Sequence, residues 1–206
     1  MEEGLEILKL AWTTRPFNYR GRFYSFDEVE VRPEPFQHPH PPLWVGATTP
    51  KAAERAGRHG AHLALGSGDL TVVHAFKEGH AAADLEPGSA RVNFGLAAWP
   101  TYEDPDTIWD RSKDFYRYQW DFYRKIRAEL GDPDLVPPLP GSDPARSFAV
   151  IATPETIIEN ARQVVDTYGI TDFGWSGPPT GVPPRTEGYA AMKLFAEKVL
   201  PEIHSW

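Results

Sequence analysis

A tight turn of small and hydroxylated residues, Gly46-Ala47-Thr48-Thr49, runs directly into Pro50 and a helix-forming segment. Residues of these types can hold an anion. A strand that ends in such a turn and opens a helix leaves three or four backbone N–H groups without intrahelical partners, at the positive end of the helix dipole. Gly46 and Ala47 allow close approach, Thr48 and Thr49 add hydroxyl donors, and a phosphate would fit. The same residues also make an ordinary capped helix in an ordinary βα turn. They lack the specificity of a Walker loop or a complete dinucleotide fingerprint.

The other reactive side chains form no constellation. His38-Pro39-His40 places two imidazoles at i and i+2 on an extended segment, where they point to opposite sides with no third ligand, so a solvated loop is expected rather than a metal site. His59 and His62 flank Gly60, away from the carboxyl ends of the strands, and His74 and His80 fall on a helix expected to face solvent. Asp27, Glu28 and Glu30 read as the charged edge of a hairpin. Ser67 has no attendant His or Asp in a nucleophile pattern. The absence of cysteine excludes disulfides, thiolate metal sites and a cysteine nucleophile. No catalytic residue and no metal are assigned.

The turn is positioned by a strand–helix–strand unit. Leu43-Trp44-Val45 is a short apolar strand, Thr49-Pro50 starts a helix over 51–59, Gly60 ends it, and Ala61 to Leu65 forms the next strand before Gly66-Ser67-Gly68 turns out. Asp69 caps a helix to about Ala83, Arg91 to Trp99 is a third strand, and Asp104-Pro105 opens an aromatic-rich helix to Leu130. That helix carries two stripes, Trp109/Tyr116/Trp120/Tyr123 and Phe115/Phe122/Ile126, one for the core and one for a partner subunit or a lid. A Pro- and Gly-rich loop spans Gly131 to Ser147. Thr153-Pro154 starts a helix to Tyr168, Thr171 to Ser176 is the fourth strand, and Thr186 to Ile203 is a helix with Tyr189, Met192, Leu194, Phe195 and Val199 inside. Before all this come a helix over Glu2 to Trp12 and an irregular excursion over 13–42, with a small hairpin of Gly21–Phe26 and Val29–Val31.

Four strands, each followed by a helix, imply an α/β fold with a parallel sheet: a small open sheet, or half of an eight-stranded barrel. At 206 residues the chain makes one domain or most of one, and its net charge of -8 argues against a nucleic-acid groove or an anionic membrane surface. No apolar run approaches the ~20 residues of a membrane span and no signal peptide is visible, so a cytoplasmic protein is expected.

Several segments in order resemble the bacterial luciferase-like monooxygenases: Glu3-Gly4-Leu5-Glu6-Ile7-Leu8, Trp12, Gly21-Arg22-Phe23-Tyr24, Pro41-Pro42-Leu43-Trp44-Val45-Gly46, Thr153-Pro154-Glu155, and Leu194-Phe195-Ala196-Glu197-Lys198-Val199-Leu200-Pro201. That superfamily includes alkanesulfonate monooxygenases and deazaflavin-dependent oxidoreductases. The resemblance implies the C-terminal half of a (β/α)8 TIM barrel, about four βα units, as one domain over residues 1–206 that is incomplete at its N-terminus and carries 13–42 as an insertion segment. It implies reduced FMN and O2 acting on a small organic substrate, with a deazaflavin as the alternative cofactor. By this resemblance the phosphate turn falls on Gly46, Ala47, Thr48 and Thr49, and the flavin-lining end of the next strand on Leu65, Gly66 and Ser67. The basic pair of the alkanesulfonate branch is replaced here by Phe94-Gly95-Leu96-Ala97-Ala98-Trp99, which argues against a sulfonate and places Trp99 and Trp175 as an apolar substrate wall. A flavin reductase, a homo-oligomer or completion by another chain are the implied partners. A catalytically silent half-barrel acting in binding or assembly is the reading from another class.

Overall fold

The computed structural model describes residues 1–66, 68–86, 88–129, 143–148, 150–179 and 184–206. They divide into two compact units, Met1–Phe94 with Ile170–Asp172, and Gly95–Gly169 with Phe173–Trp206.

In the first unit, helix α1 (Glu2–Thr13) precedes a hairpin of β1 (Phe17–Arg20) and β2 (Ser25–Val29). The hairpin begins four residues earlier than the sequence reading places it, because Glu3 converts Gly21–Tyr24 from strand into turn. One Glu3 carboxylate accepts the amides of Arg22 (2.8 Å), Phe23 (3.0 Å) and Tyr24 (3.1 Å), and Gly21 donates to the Tyr24 carbonyl at 2.8 Å. A Cβ at Gly21 would overlap this carboxylate. Desolvation pushes the Glu3 carboxyl up, but the three amide donors outweigh it and hold it below its ordinary value. A folded pKa below the unfolded one gives stability that is present above the unfolded pKa and lost as pH falls through the folded one. Acidification is therefore expected to release the turn before the rest of the unit unfolds. Amide shifts of Arg22, Phe23 and Tyr24 moving only with global unfolding would contradict this.

Strand β3 (Trp44–Ala47), helix α2 (Pro50–Arg58), strand β4 (His62–Leu65), helix α3 (Leu70–Ala82) and the first three residues of β5 (Val92–Pro100) complete the unit. The pairing is parallel, with Trp44 opposite His62, Ala47 opposite Leu65, and Leu63 to Leu65 opposite Val92 to Phe94. Alternation buries Val45, Ala47, Leu63, Leu65 and Val92 against Ala53, Ala56, Val72, Val73 and Phe76 of the two helices. Trp44 and Gly46 lie on the opposite, exposed face. His80 is on the buried side of α3, not in solvent as expected; it is 8% exposed and its Nε2 lies 3.1 Å from Ser89 Oγ. The salt bridge of Arg91 with Asp172 and the bond from Val92 N to Thr171 Oγ1 (2.8 Å) tie β7 (Asp172–Ser176) to the start of β5.

In the second unit, β5 pairs in parallel with β6 (Val150–Ala152), with Ala98 opposite Val150 and Pro100 opposite Ala152, and β7 also pairs with β5. Strand β6 is absent from the four-strand reading; three residues after a proline-rich stretch carry too little periodicity to reveal it. Helix α4 (Pro105–Glu129) packs Trp109 and Tyr116 into one apolar cluster with Trp99, Ile108, Ala145 and Ala191. Helix α5 (Pro154–Tyr168) packs Ile157 and Ala161 into another with Leu96, Ala98, Phe195 and Val199. Phe122 and Ile126 of the second α4 stripe are exposed. The C-terminal helical segment comprises a π turn (Pro184–Gly188), α6 (Tyr189–Leu194), a second π turn (Phe195–Val199) and α7 (Leu200–Ile203). Its buried stripe is Ala191, Phe195 and Val199, while Tyr189 and Met192, expected inside, are exposed. Leu130 and most of the expected 131–147 loop lie outside the described residues. Among the described residues no helix is long and apolar enough to cross a membrane.

Candidate cofactor and substrate site

The turn that opens α2 lies at the carboxyl end of β3, the end at which parallel α/β sheets bind ligands. Thr49 is the N-cap residue with extended backbone (φ -129°, ψ 148°), and its carbonyl takes the amides of Ala52 and Ala53, both at 3.1 Å. Its hydroxyl makes no cap bond. The starts of α3, α4 and α5 are closed by their own side chains, Asp69 accepting from Thr71 N (2.9 Å), Asp104 from Thr107 N (3.0 Å) and Thr153 from Thr156 N (3.4 Å), whereas α1, like α2, has no side-chain cap. The amides and hydroxyls of Thr48 and Thr49, just ahead of α2, have no partner among the described residues, and these are the donors an anion needs.

Next to it, Gly66 donates its amide to the Ala47 carbonyl at 3.0 Å. A Cβ on Gly66 would come within 2.8 Å of Thr48 Cγ2 and 3.2 Å of Ala47 O, so glycine is what lets the two turns meet. Six of the seven residues predicted to hold the cofactor are thus brought together; Ser67 lies outside the described residues. They do not all contribute alike. Ala47 and Leu65 are 4% and 8% exposed, turned under the helices, and offer only backbone. Gly46 faces outward, and nothing lies within 4 Å of where its Cβ would be. Amides, two hydroxyls and an unfilled face at Gly46 are the chemistry that can receive an anion such as a phosphate.

Trp99 and Trp175, the expected substrate wall, both belong to the second unit but fall in separate apolar clusters. Trp175 stacks on Phe195 (centroids 4.4 Å, 13° apart) and donates Nε1–H to the Ala98 carbonyl at 3.0 Å, which fixes its ring in the packing around α5. Trp99, 3% exposed, forms the floor of a cleft of about 530 Å³ with Pro100, Ala191 and Leu194. Its charged side holds Glu103, Arg111 and Glu187. Arg111 donates to both oxygens of Glu103 (2.9 and 3.1 Å) and through Nε to Glu187 Oε2 at 3.3 Å. The Glu103 hydrogen bonds hold the guanidinium above its ordinary pKa. The loop behind is fixed by Thr101, whose amide bonds Ala152 O (2.9 Å) and whose hydroxyl accepts from Glu103 N (2.9 Å). In the adjoining cluster Tyr116 Oη is buried with no hydrogen-bond partner among the described residues, and burial raises its pKa.

Sequence reasoning does not find this charged group. Glu103 and Arg111 are eight positions apart across a helix start, and Glu187 arrives from a distant segment. Burial lowers the pKa values of His59 and His62, and neither borders the cleft. Among the described residues no three His, Cys, Asp or Glu side chains converge to hold a metal.

The family described as luciferase-like monooxygenase matches residues 1–171. The chain is 37% identical over 57 residues to an FMNH(2)-dependent dimethylsulfone monooxygenase of Pseudomonas putida, covering 28% of this chain and 16% of that protein. It is 25% identical over 178 residues to the oxygenase component of a flavin-dependent trigonelline monooxygenase of Acinetobacter baylyi, covering 81% of this chain and 48% of that one. Among solved structures, an F420-dependent secondary alcohol dehydrogenase bound to an F420–acetone adduct superposes with TM-score 0.71 at 18% identity, over 98% of this chain and 60% of that one. The likeness shows a shared α/β fold with a parallel sheet. The chain spans about half the length, or less, of the curated relatives it matches.

Proposed function

We propose, because the chain belongs to the luciferase-like monooxygenase family, that it acts in flavin-dependent oxidation of a small organic substrate with O2 and reduced FMN. In this reading it supplies the C-terminal half of an eight-stranded barrel, with the segment 13–42 inserted. The single observation that carries the cofactor assignment is the start of α2, uncapped by its own side chain and open at Gly46. The amides and hydroxyls of Thr48 and Thr49 hold the phosphate, Gly46 leaves room for its approach, and the backbone of Ala47, Leu65 and Gly66 shapes the cradle, with Ser67 following. Bound there, the reduced flavin supplies the electrons that activate oxygen. The chain's own part is to orient the flavin and to keep the reacting region dry, with Trp99 rather than the core-packed Trp175 giving the substrate side an apolar character. A flavin reductase is the partner that delivers reduced cofactor. The exposed Phe122 and Ile126 support a subunit contact, with a second copy or with a chain that completes the barrel.

The F420-dependent neighbour supports a second reading, a deazaflavin-dependent oxidoreductase on the same fold. Titrating the protein with FMN and with a deazaflavin, each followed by cofactor fluorescence, separates the two. Saturable FMN binding with weaker deazaflavin binding is expected. Tight deazaflavin binding with none for FMN would replace the first reading by the second. Binding of neither would leave the silent assembly subunit.

A further inference from the structure

The cleft over Trp99 has a charge pattern that flavin binding does not use. We infer that it receives an organic cation, a positively charged nitrogen on an apolar or aromatic body. This rests on the reading of the chain as a flavin-dependent oxidoreductase with its substrate side at Trp99, and it names the class of that substrate.

A volume of about 530 Å³ suits a small molecule. The floor of Trp99, Pro100, Ala191 and Leu194 rewards an apolar body, and an indole attracts cations through its ring quadrupole. The side groups are two carboxylates and one guanidinium, a net charge of one negative. Their bonding is uneven. Arg111 directs its forked donors to Glu103 and leaves only Nε for Glu187, at 3.3 Å. The second oxygen of Glu187 accepts nothing among the described residues, although the side chain is only 29% exposed. A half-buried carboxylate short of donors gains most from a cation. A neutral ligand would leave that second oxygen with no charged partner, and an anion would meet two carboxylates around a guanidinium already engaged. Glu155, the nearby carboxylate, is held by the Tyr102 hydroxyl at 3.2 Å and offers no competing site of the same kind.

Calorimetric titration of the whole chain with benzyltrimethylammonium, benzyl alcohol and benzenesulfonate tests this. The cation is expected to bind at least about tenfold more tightly than the alcohol, with the sulfonate weakest. Glu187→Gln should weaken the cation about tenfold and leave the alcohol unchanged. Ala190→Trp, at an exposed position on the cleft wall, should block all three without disturbing the core. A sulfonate that binds as well as the cation, or a cation affinity unchanged in both variants, overturns the inference. Flavin titration of the same samples keeps the two readings apart. Flavin binding without cation binding removes only the substrate class, and cation binding without flavin binding removes the oxidoreductase reading.

Discussion

Replacing Gly79 with alanine is expected to destabilise the protein by about 3 kcal/mol, the upper end of what overpacking costs in a close-packed interior. Helix propensity alone predicts the reverse, since alanine is better than glycine in a helix interior by about 1 kcal/mol. The crossing of α2 on α3 decides the sign. A Cβ on Gly79 would overlap the Glu54 carbonyl oxygen and come within 2.9 Å of its carbon, and one on Gly57 would lie 2.6 Å from His80 N and overlap the Phe76 carbonyl. Each glycine meets the other helix's backbone, which has no rotamer to change, so the helices must separate. That would loosen the contacts of Ala53, Ala56 and Phe76, all fully buried. Melting should fall by roughly 6–12 °C for a chain of this size. Gly4→Ala in α1 is the control: its Cβ would meet nothing within 4 Å, so propensity should prevail and stability hold or rise. Equal behaviour of the two variants would mean that the crossing is not as close as described.

The same contrast explains what the sequence reveals and what it withholds. The β3–α2–β4 unit is legible because its signals are local: an apolar triplet, Thr-Pro to start a helix, and Gly60 with φ 62° just beyond its end. The candidate phosphate turn inherits that legibility, being four consecutive residues. The close crossing is not legible, because nothing in the sequence pairs Gly57 with Gly79 across two helices. His80 reads as a solvent residue until the loop at Ser89 folds back to it, and Glu3 reads as one more surface acid although it rewrites the hairpin register. In the C-terminal segment the right residue types are visible, but two π turns shift which face is buried, and Ala191 replaces Met192. Trp99 and Trp175 look alike in sequence, yet one floors a cleft and the other is stacked and hydrogen-bonded into a core. Aromatic residue type states that a ring is buried or presented, never which.

Gly46→Leu separates the fold from the proposed cofactor site, and it is expected to weaken FMN binding at least about 100-fold, roughly 3 kcal/mol, with no loss of stability. The two halves of that expectation have one cause. Gly46 alternates with the buried Val45 and Ala47, so its side chain would point to the exposed face, where apart from its chain neighbours no atom of the described residues lies within 4 Å. Glycine weakens a strand, so leucine costs the fold nothing there and can strengthen it. A ligand whose phosphate rests on the amides of Thr48 and Thr49 must cross that same space, and a branched four-carbon side chain would fill it. Gly66→Ala gives the opposing case: its Cβ would press on Thr48 Cγ2 at 2.8 Å, so both the turn and the melting temperature should suffer. Flavin fluorescence titration and thermal melts of the two variants together therefore distinguish a blocked site from a broken one. Unaltered FMN affinity in Gly46→Leu would mean the space in front of α2 is not where the cofactor enters, and the phosphate would then have to be sought at a different helix start.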